Sequence, residues 1–153
     1  MSFTGIYKFK SIASFNENGE LITYSPEEYL SSPMPYIDEN DAEEVAHERK
    51  ERERTIGTVI KVCEDGKLYM LMPLPAGVSE EEVKEAVDSG ALTLVDGMMT
   101  EGPKNWEERN GELWYDSGVV GEVLGEKTGP WTKISDENGN LNIVTMKFEK
   151  VAD

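Results

Sequence analysis

Glu107, Glu108, Glu112 and Asp116 crowd carboxylates into one short stretch. A carboxylate pair held at a defined separation can work as general acid and base, as in glycoside hydrolysis, but that separation belongs to the fold and not to the spacing. With 31 acidic residues in a chain of 153, such neighbours arise without any chemistry. Other groups that move protons or hold metals are sparse. His47 is the single histidine, between Glu44 and Glu48, and Cys63 is the single cysteine, so a zinc site or a nucleophilic dyad is hard to build. Asp136-Glu137-Asn138-Gly139-Asn140 has the oxygen-rich composition of a calcium loop. Its glycine comes too early for one and no distal glutamate follows, so a hairpin explains it better. We expect no catalytic residue, no metal and no cofactor.

Binding residues are easier to nominate. Met70, Met72, Met98, Met99 and Met146 fall in strand-like segments, and flexible thioethers suit either a pocket for apolar guests or the filling of a core. Trp106, Trp114 and Trp131, with Tyr115 nearby, could form an aromatic platform or could anchor the walls of the fold. Arg49, Lys50, Arg52 and Arg54 gather positive charge on a segment with little apolar face. That cluster could guard a cavity mouth or meet an acidic surface of a second copy, whereas Glu48–Arg52 pairing along a helix is the plainer account. The candidate ligand residues are therefore Met70, Met72, Met98, Trp114, Arg49 and Arg52.

Composition narrows the classes of partner. The net charge of −16 repels phosphate backbones and anionic bilayers, which argues against nucleic acid and membrane. No apolar run approaches the length of a membrane span, and no secretory leader is evident at the amino terminus. A lone cysteine suits a reducing compartment, so a cytoplasmic location is expected. One domain of this length buries roughly 70% of its unfolded surface, enough for a core without disulfides.

The elements that would position these residues are legible as strands and turns. Asn18-Gly19, Asp65-Gly66, Asn110-Gly111 and Asn138-Gly139 each precede a residue and then a leucine, and Asp96-Gly97 adds a fifth pair. Such pairs tolerate the positive φ of tight hairpins, which predicts an antiparallel meander with two-residue turns. Period-two alternation marks strands at 3–9, 55–64, 67–74, 112–116, 119–124, 131–134 and 141–151. Helical insertions are expected near 25–54 and 79–89. Ser25 and Ser79 start capping boxes with Glu28 and Glu82, Pro33 and Pro35 close the first short helix, and a longer charged helix follows over 41–54.

Phe3-Thr4-Gly5-Ile6-Tyr7-Lys8-Phe9, followed by a meander with helical insertions, resembles the calycins, the superfamily of lipocalins and fatty-acid-binding proteins. In those families a Gly-x-Trp or Gly-x-Tyr unit in the first strand closes the base of the barrel, a role that the resemblance gives to Gly5 and Tyr7. The Arg-x-Tyr pair that holds a fatty-acid carboxylate has no counterpart in Thr145-Met146-Lys147-Phe148-Glu149, and Lys147 or Lys150 stands where lipocalins close the barrel with a basic residue. The expected fold is mainly β, a meander closed into a small calycin-like barrel, as one domain over 1–153. The expected function is non-catalytic binding of a small apolar or aromatic molecule. Two rivals stand beside it: an interaction module with a filled barrel, self-associating through a sheet edge or the charged helix, and a barrel enzyme.

Overall fold

The computed structural model describes residues 3–34, 37–75, 77–118 and 120–152. In chain order the strands of the first half are β1 (Gly5–Phe15), β2 (Leu21–Tyr24), β3 (Val59–Val62), β4 (Lys67–Leu71), β5 (Thr93–Val95) and β6 (Met98–Thr100). The second half contributes β7 (Lys104–Arg109), β8 (Glu112–Asp116), β9 (Gly121–Val123), β10 (Glu126–Thr128), β11 (Trp131–Lys133), β12 (Leu141–Ile143) and β13 (Met146–Ala152). The main sheet runs β11-β8-β7-β4-β3-β1-β13-β12, with β2 beside β1, and curls into a half-barrel. Every pairing in it is antiparallel.

β1 is the spine. Its first half pairs with β3, its second half with β2, and its other edge with β13. Gly5, Tyr7 and Phe9 alternate into the buried face, and a register shift between Phe9 and Ser11 lets Ile12 take the next buried place. The interior centres on Tyr7, Ile60, Leu68, Leu113, Leu141 and Phe148, each at most 1% exposed. Phe148 meets Phe9 edge to face at 6.1 Å across the β1–β13 pair. Burying each such side chain contributes about 1.5–3 kcal/mol, and this one-sided burial fixes the register.

Ile134 and Ser135, just after β11, touch two strands at opposite ends of the sheet order. Ile134 N–H donates to the Leu113 carbonyl at 3.0 Å and Leu113 N–H donates to Ser135 Oγ at 2.9 Å, which ties them to β8. Asn142 N–H donates to the Ile134 carbonyl at 2.7 Å, and Ser135 bridges Leu141, which ties them to β12. Both Ser135 and Leu113 are buried. Ser135→Ala should cost about 1–3 kcal/mol, because the buried Leu113 amide loses its acceptor. Urea denaturation checks this; an unchanged midpoint would mean that the seam carries no weight.

The hairpins form at the Asn/Asp-Gly sites, with a correction to their length. Only Asn110–Gly111 and Asp96–Gly97 make two-residue turns, pairing Arg109 with Glu112 and Val95 with Met98. At Gly19, Gly66 and Gly139 the loops have three residues, closed by Asn16–Glu20, Cys63–Lys67 and Asp136–Asn140 hydrogen bonds. The glycine then occupies the last, left-handed place of a type I turn with a bulge. At Gly19 and Gly139, Asn16 and Asp136 explain the difference, since each Oδ1 accepts two loop amides and rigidifies the wider turn; at Gly66, Asp65 Oδ1 accepts from Lys67 N–H.

Three further expectations change. The segment 141–151 is not one strand but the β12–β13 hairpin, turning at Val144 with φ 55°. Burial of Leu141, Ile143 and Phe148 on the paired strands outweighs the strain of a branched residue in that conformation. The strand expected from Thr55 begins at Val59, because α2 (Ala42–Ile56) runs on to Ile56 and Gly57 caps it. A Cβ at Gly57 would stand 2.6 Å from Pro73 Cγ, so glycine lets the helix end seat against the exit of β4. The insertion at 25–54 holds the two helices expected of it, α1 (Pro26–Leu30) and α2, and α3 (Glu80–Asp88) is the helix expected near 79–89. The full capping box forms at Ser25; at Ser79 the serine oxygen accepts from Glu82 N–H. Pro35, expected to end the first helix, and Val119, expected to open a strand at 119–124, lie outside the described residues.

Candidate functional site

The concave side of the half-barrel is filled at one end and open at the other. At the open end lies a cavity of about 550 Å³. Its apolar wall is Leu68, Met70 and Met72 from β4 and its exit, Met99 from β6, Leu92 before β5, and Ile143 from β12. Strand alternation places Leu68 and Met70 on the same face as Val62 and Ile60, their cross-strand partners. Met72 and Met99 exchange both backbone hydrogen bonds at 2.9 Å, which draws the β5–β6 hairpin against the end of β4. Thr93, Thr100, Glu101, Lys104, Tyr115 and Ser117 supply the polar part of the lining. Burial pushes the Tyr115 hydroxyl above its ordinary pKa, so it stays an O–H donor at neutral pH.

Of the nominated ligand residues, Met70 and Met72 line this cavity, while Met98 and Trp114 do not. Both misses are by one position. Met98 pairs with Val95 and its neighbour Met99 lines the cavity; Trp114 pairs with Glu107, and its neighbour Tyr115 lines the cavity instead. Because the side-chain period of a strand is two, the adjacent residue always faces the other way.

Arg52 is committed elsewhere. It is 1% exposed, and its guanidinium donates to the carbonyls of Tyr29 at 2.7 Å, Ser32 at 2.8 Å and Pro33 at 3.0 Å, and to Ser32 Oγ at 2.7 Å. Its Nε pairs with Glu48 at 3.3 Å and its plane lies 4.9 Å from the Tyr29 ring centroid. The side chain thus fastens α2 to the end of α1 rather than facing a ligand. Arg49 is exposed on α2, one turn before Arg52, and does not line the cavity. Arg54 reaches the Pro73 carbonyl at 3.3 Å and Met99 Sδ at 3.2 Å, joining α2 to the cavity's outer wall.

Comparison with family models, with curated proteins and with solved structures returned no match. The site therefore rests on its own geometry.

The acidic stretch is divided by the sheet. Glu107, Glu112 and Asp116 share the convex face with Trp114, away from the cavity. Glu107 pairs with Arg109, and Glu112 pairs with Lys133 at 2.9 Å. Arg109 lies between two rings, 5.1 Å from Trp114 and 5.0 Å from Trp131, so these tryptophans form a wall contact on the convex side. The third tryptophan, Trp106, donates to the Cys63 carbonyl at 2.9 Å. Cys63 is half-buried, and burial together with Asp65 and Asp96 pushes its thiol above the ordinary value despite Lys61. His47 is exposed on α2, beside a second, shallower cleft of about 410 Å³ against Pro73 and Leu74.

Tyr7 stands at the filled end. It is 1% exposed and its hydroxyl donates to the Phe3 carbonyl at 2.7 Å, while Gly5, with φ 147°, pairs with Val62 on the same face. A recess of about 210 Å³ adjoins it, bordered by Asn138, Asn140, Glu149 and Lys150. The Asp136 loop beside it is spent on the hairpin. Burial raises the Asp136 pKa, but bonds from Asn142, Asn138 and Asn140, with Lys147 nearby, outweigh that and hold the carboxyl below its usual range. Among the described residues, no group of three or more His, Cys, Asp or Glu side chains is arranged to hold a metal, and no helix is long and apolar enough to cross a membrane.

Proposed function

We propose that this protein is a non-catalytic carrier or sensor of a small apolar or aromatic molecule, bound in the open end of a calycin-like barrel. The observation that carries the reading is the cavity of about 550 Å³ walled by Leu68, Met70, Met72, Leu92, Met99 and Ile143. Pockets of roughly 300–1,000 Å³ with apolar walls and few polar groups are the usual form of small-molecule sites. Three methionines in one wall suit a guest of irregular or aromatic shape, since the thioether adapts its rotamer and contacts ring edges favourably. In this reading the Ile134–Ser135 seam completes the barrel, Gly5 and Tyr7 close its base, and a cytoplasmic location fits the lone Cys63.

The test is a neutral, apolar fluorophore such as Nile red. The wild-type chain should bind it with enhanced, blue-shifted emission. Met70→Trp, which puts a large ring into the cavity, should reduce that binding at least about tenfold while preserving the circular dichroism spectrum. A wild-type chain that fails to bind the dye, or a Met70→Trp chain that binds it equally well, would remove the cavity from the account.

A second reading is an interaction module. It is favoured by edge strand β11, whose Trp131 meets Arg109 of β7 on the convex face, away from the cavity. An exposed edge with an aromatic platform suits pairing with a second copy. Native mass spectrometry separates the two: a stable dimer lost on Trp131→Ser favours this reading, and a monomer with a bound small molecule favours the carrier.

A further inference from the structure

Building on the carrier reading, we propose that the guest is a singly charged carboxylate bearing an aryl or hydrocarbon body, its head held by Lys104 and Tyr115 and its body against the methionine wall. Lys104 pairs with Leu68 across β4 and β7, so it shares the concave face, and it lines the cavity in a half-buried position. Four other lysines of the sheet have anionic partners: Lys61 takes Asp96, Lys133 takes Glu112, Lys10 takes Glu149 and Lys147 takes Asp136, while Lys67 takes the neutral Asn105 and Lys8 is exposed to solvent. Lys104 has no such pair among the described residues, in a chain with 31 acidic and 15 basic residues. A half-buried lysine beside an apolar wall, without an ion-pair partner among the described residues, gains a charge-assisted bond from an anionic guest.

Tyr115 supplies the second donor. It lies on the concave face of β8, lines the same cavity, and its hydroxyl has no hydrogen-bond partner among the described residues. Of the neighbouring hydroxyls, Ser117 Oγ donates to the Pro130 carbonyl at 2.9 Å, whereas Thr100 Oγ1 accepts from Gly102 N–H at 3.2 Å and keeps its own O–H to donate, and Thr93 lies exposed at the rim. Glu101 is the one carboxylate in the lining, and it is exposed at the rim. Its charge is screened by solvent, yet it disfavours guests with two negative charges and so selects a monoanion over a phosphate dianion. The body of the guest meets Met70, Met72 and Met99, whose sulfur atoms favour an aromatic ring.

The experiment compares phenylbutyrate, phenylbutanol and phenylbutylamine as displacers of Nile red from the full chain at neutral pH. The carboxylate should bind about tenfold tighter than the alcohol, and the amine weaker than both. Lys104→Met should bring the carboxylate down to the level of the alcohol and leave the alcohol unchanged; Lys104→Arg should keep the preference. Tyr115→Phe should weaken the carboxylate severalfold. Equal binding of acid and alcohol, a preference for the amine, or a preference that survives Lys104→Met overturns the assignment of the anion while the carrier reading stands. If the dye binds but none of the three displaces it, the assigned guest class fails; if even the dye does not bind, both readings fall together.

Discussion

Replacing Arg52 with methionine is expected to destabilise the fold by about 3–5 kcal/mol, although the substitution preserves most of the side-chain volume. The guanidinium satisfies the carbonyls of Tyr29, Ser32 and Pro33 and the hydroxyl of Ser32 at once, and Glu48 completes its charge balance. These acceptors belong to the end of α1 and the turn after it, and α2 has no other buried residue with which to hold that turn. Without the donor, the acceptors stay buried without their charged partner, and Glu48, 21% exposed, loses the guanidinium that faces it. Lysine should recover only part of the loss, because one ammonium cannot match a planar fork that reaches three residues. Alanine should cost at least as much as methionine, and the small difference between them measures packing alone. Guanidinium denaturation of the three variants decides the matter. An Arg52→Met chain with the wild-type midpoint would mean that α2 is held by something other than this clamp.

Arg52 also shows where sequence reading stops. Its i, i+4 relation to Glu48 is visible in the chain, and the pair exists at 3.3 Å. Its other acceptors lie 19 to 23 positions earlier, and apart from Ser32 Oγ they are backbone carbonyls that carry no side-chain signature. A charged residue on a polar helix looks like surface whichever way it points, so burial of one arginine among several was not legible. The turns were legible for the opposite reason: their chemistry is local. Asn110–Gly111 and Asp96–Gly97 specify their φ angles by themselves, whereas the three-residue loops at Gly19 and Gly139 also needed Asn16 and Asp136, which stand before the glycine pairs. The β12–β13 turn at Val144 has no such local code, and the register is imposed by the buried partners on either side.

The cavity was half legible, and the missing half follows from parity. Lys104-Asn105-Trp106-Glu107-Glu108-Arg109 reads as polar and gives no strand signal, yet the Asn110–Gly111 turn demands a partner for Glu112–Asp116. Counting outward from that turn pairs Glu108 with Leu113, Glu107 with Trp114 and Trp106 with Tyr115. Leu113 is the apolar residue that must be buried, so Tyr115 shares its face and Trp114 takes the other. The same count puts Lys104 in line with Trp106 on the concave side. What no count supplies is the approach of the β5–β6 hairpin to the end of β4. The Met72–Met99 bridge joins residues remote in the chain, and it decides which of Met98 and Met99 lines the cavity.

Truncating Tyr7 to alanine is expected to cost about 3–5 kcal/mol, the range for removal of a large buried aromatic side chain. The ring is 1% exposed in the main apolar cluster, opposite Ile60 on β3 and Lys150 on β13, so its loss leaves a void spanning three strands. That void would open toward the recess of about 210 Å³ at Asn138 and Asn140, letting water reach the side chains that the ring covers. The hydroxyl contributes much less than the ring. It donates to the Phe3 carbonyl at 2.7 Å, and Tyr7→Phe should cost about 1 kcal/mol, the net value of one hydrogen bond. Because Tyr7 sits at the filled end and the methionine wall at the open end, Tyr7→Phe should leave Nile red affinity unchanged while lowering the unfolding midpoint. Paired denaturation and dye-binding curves test both halves. A Tyr7→Ala chain that unfolds at the wild-type midpoint would show that the ring closes nothing; a Tyr7→Phe chain that loses dye binding would show that the two ends of the half-barrel act as one site.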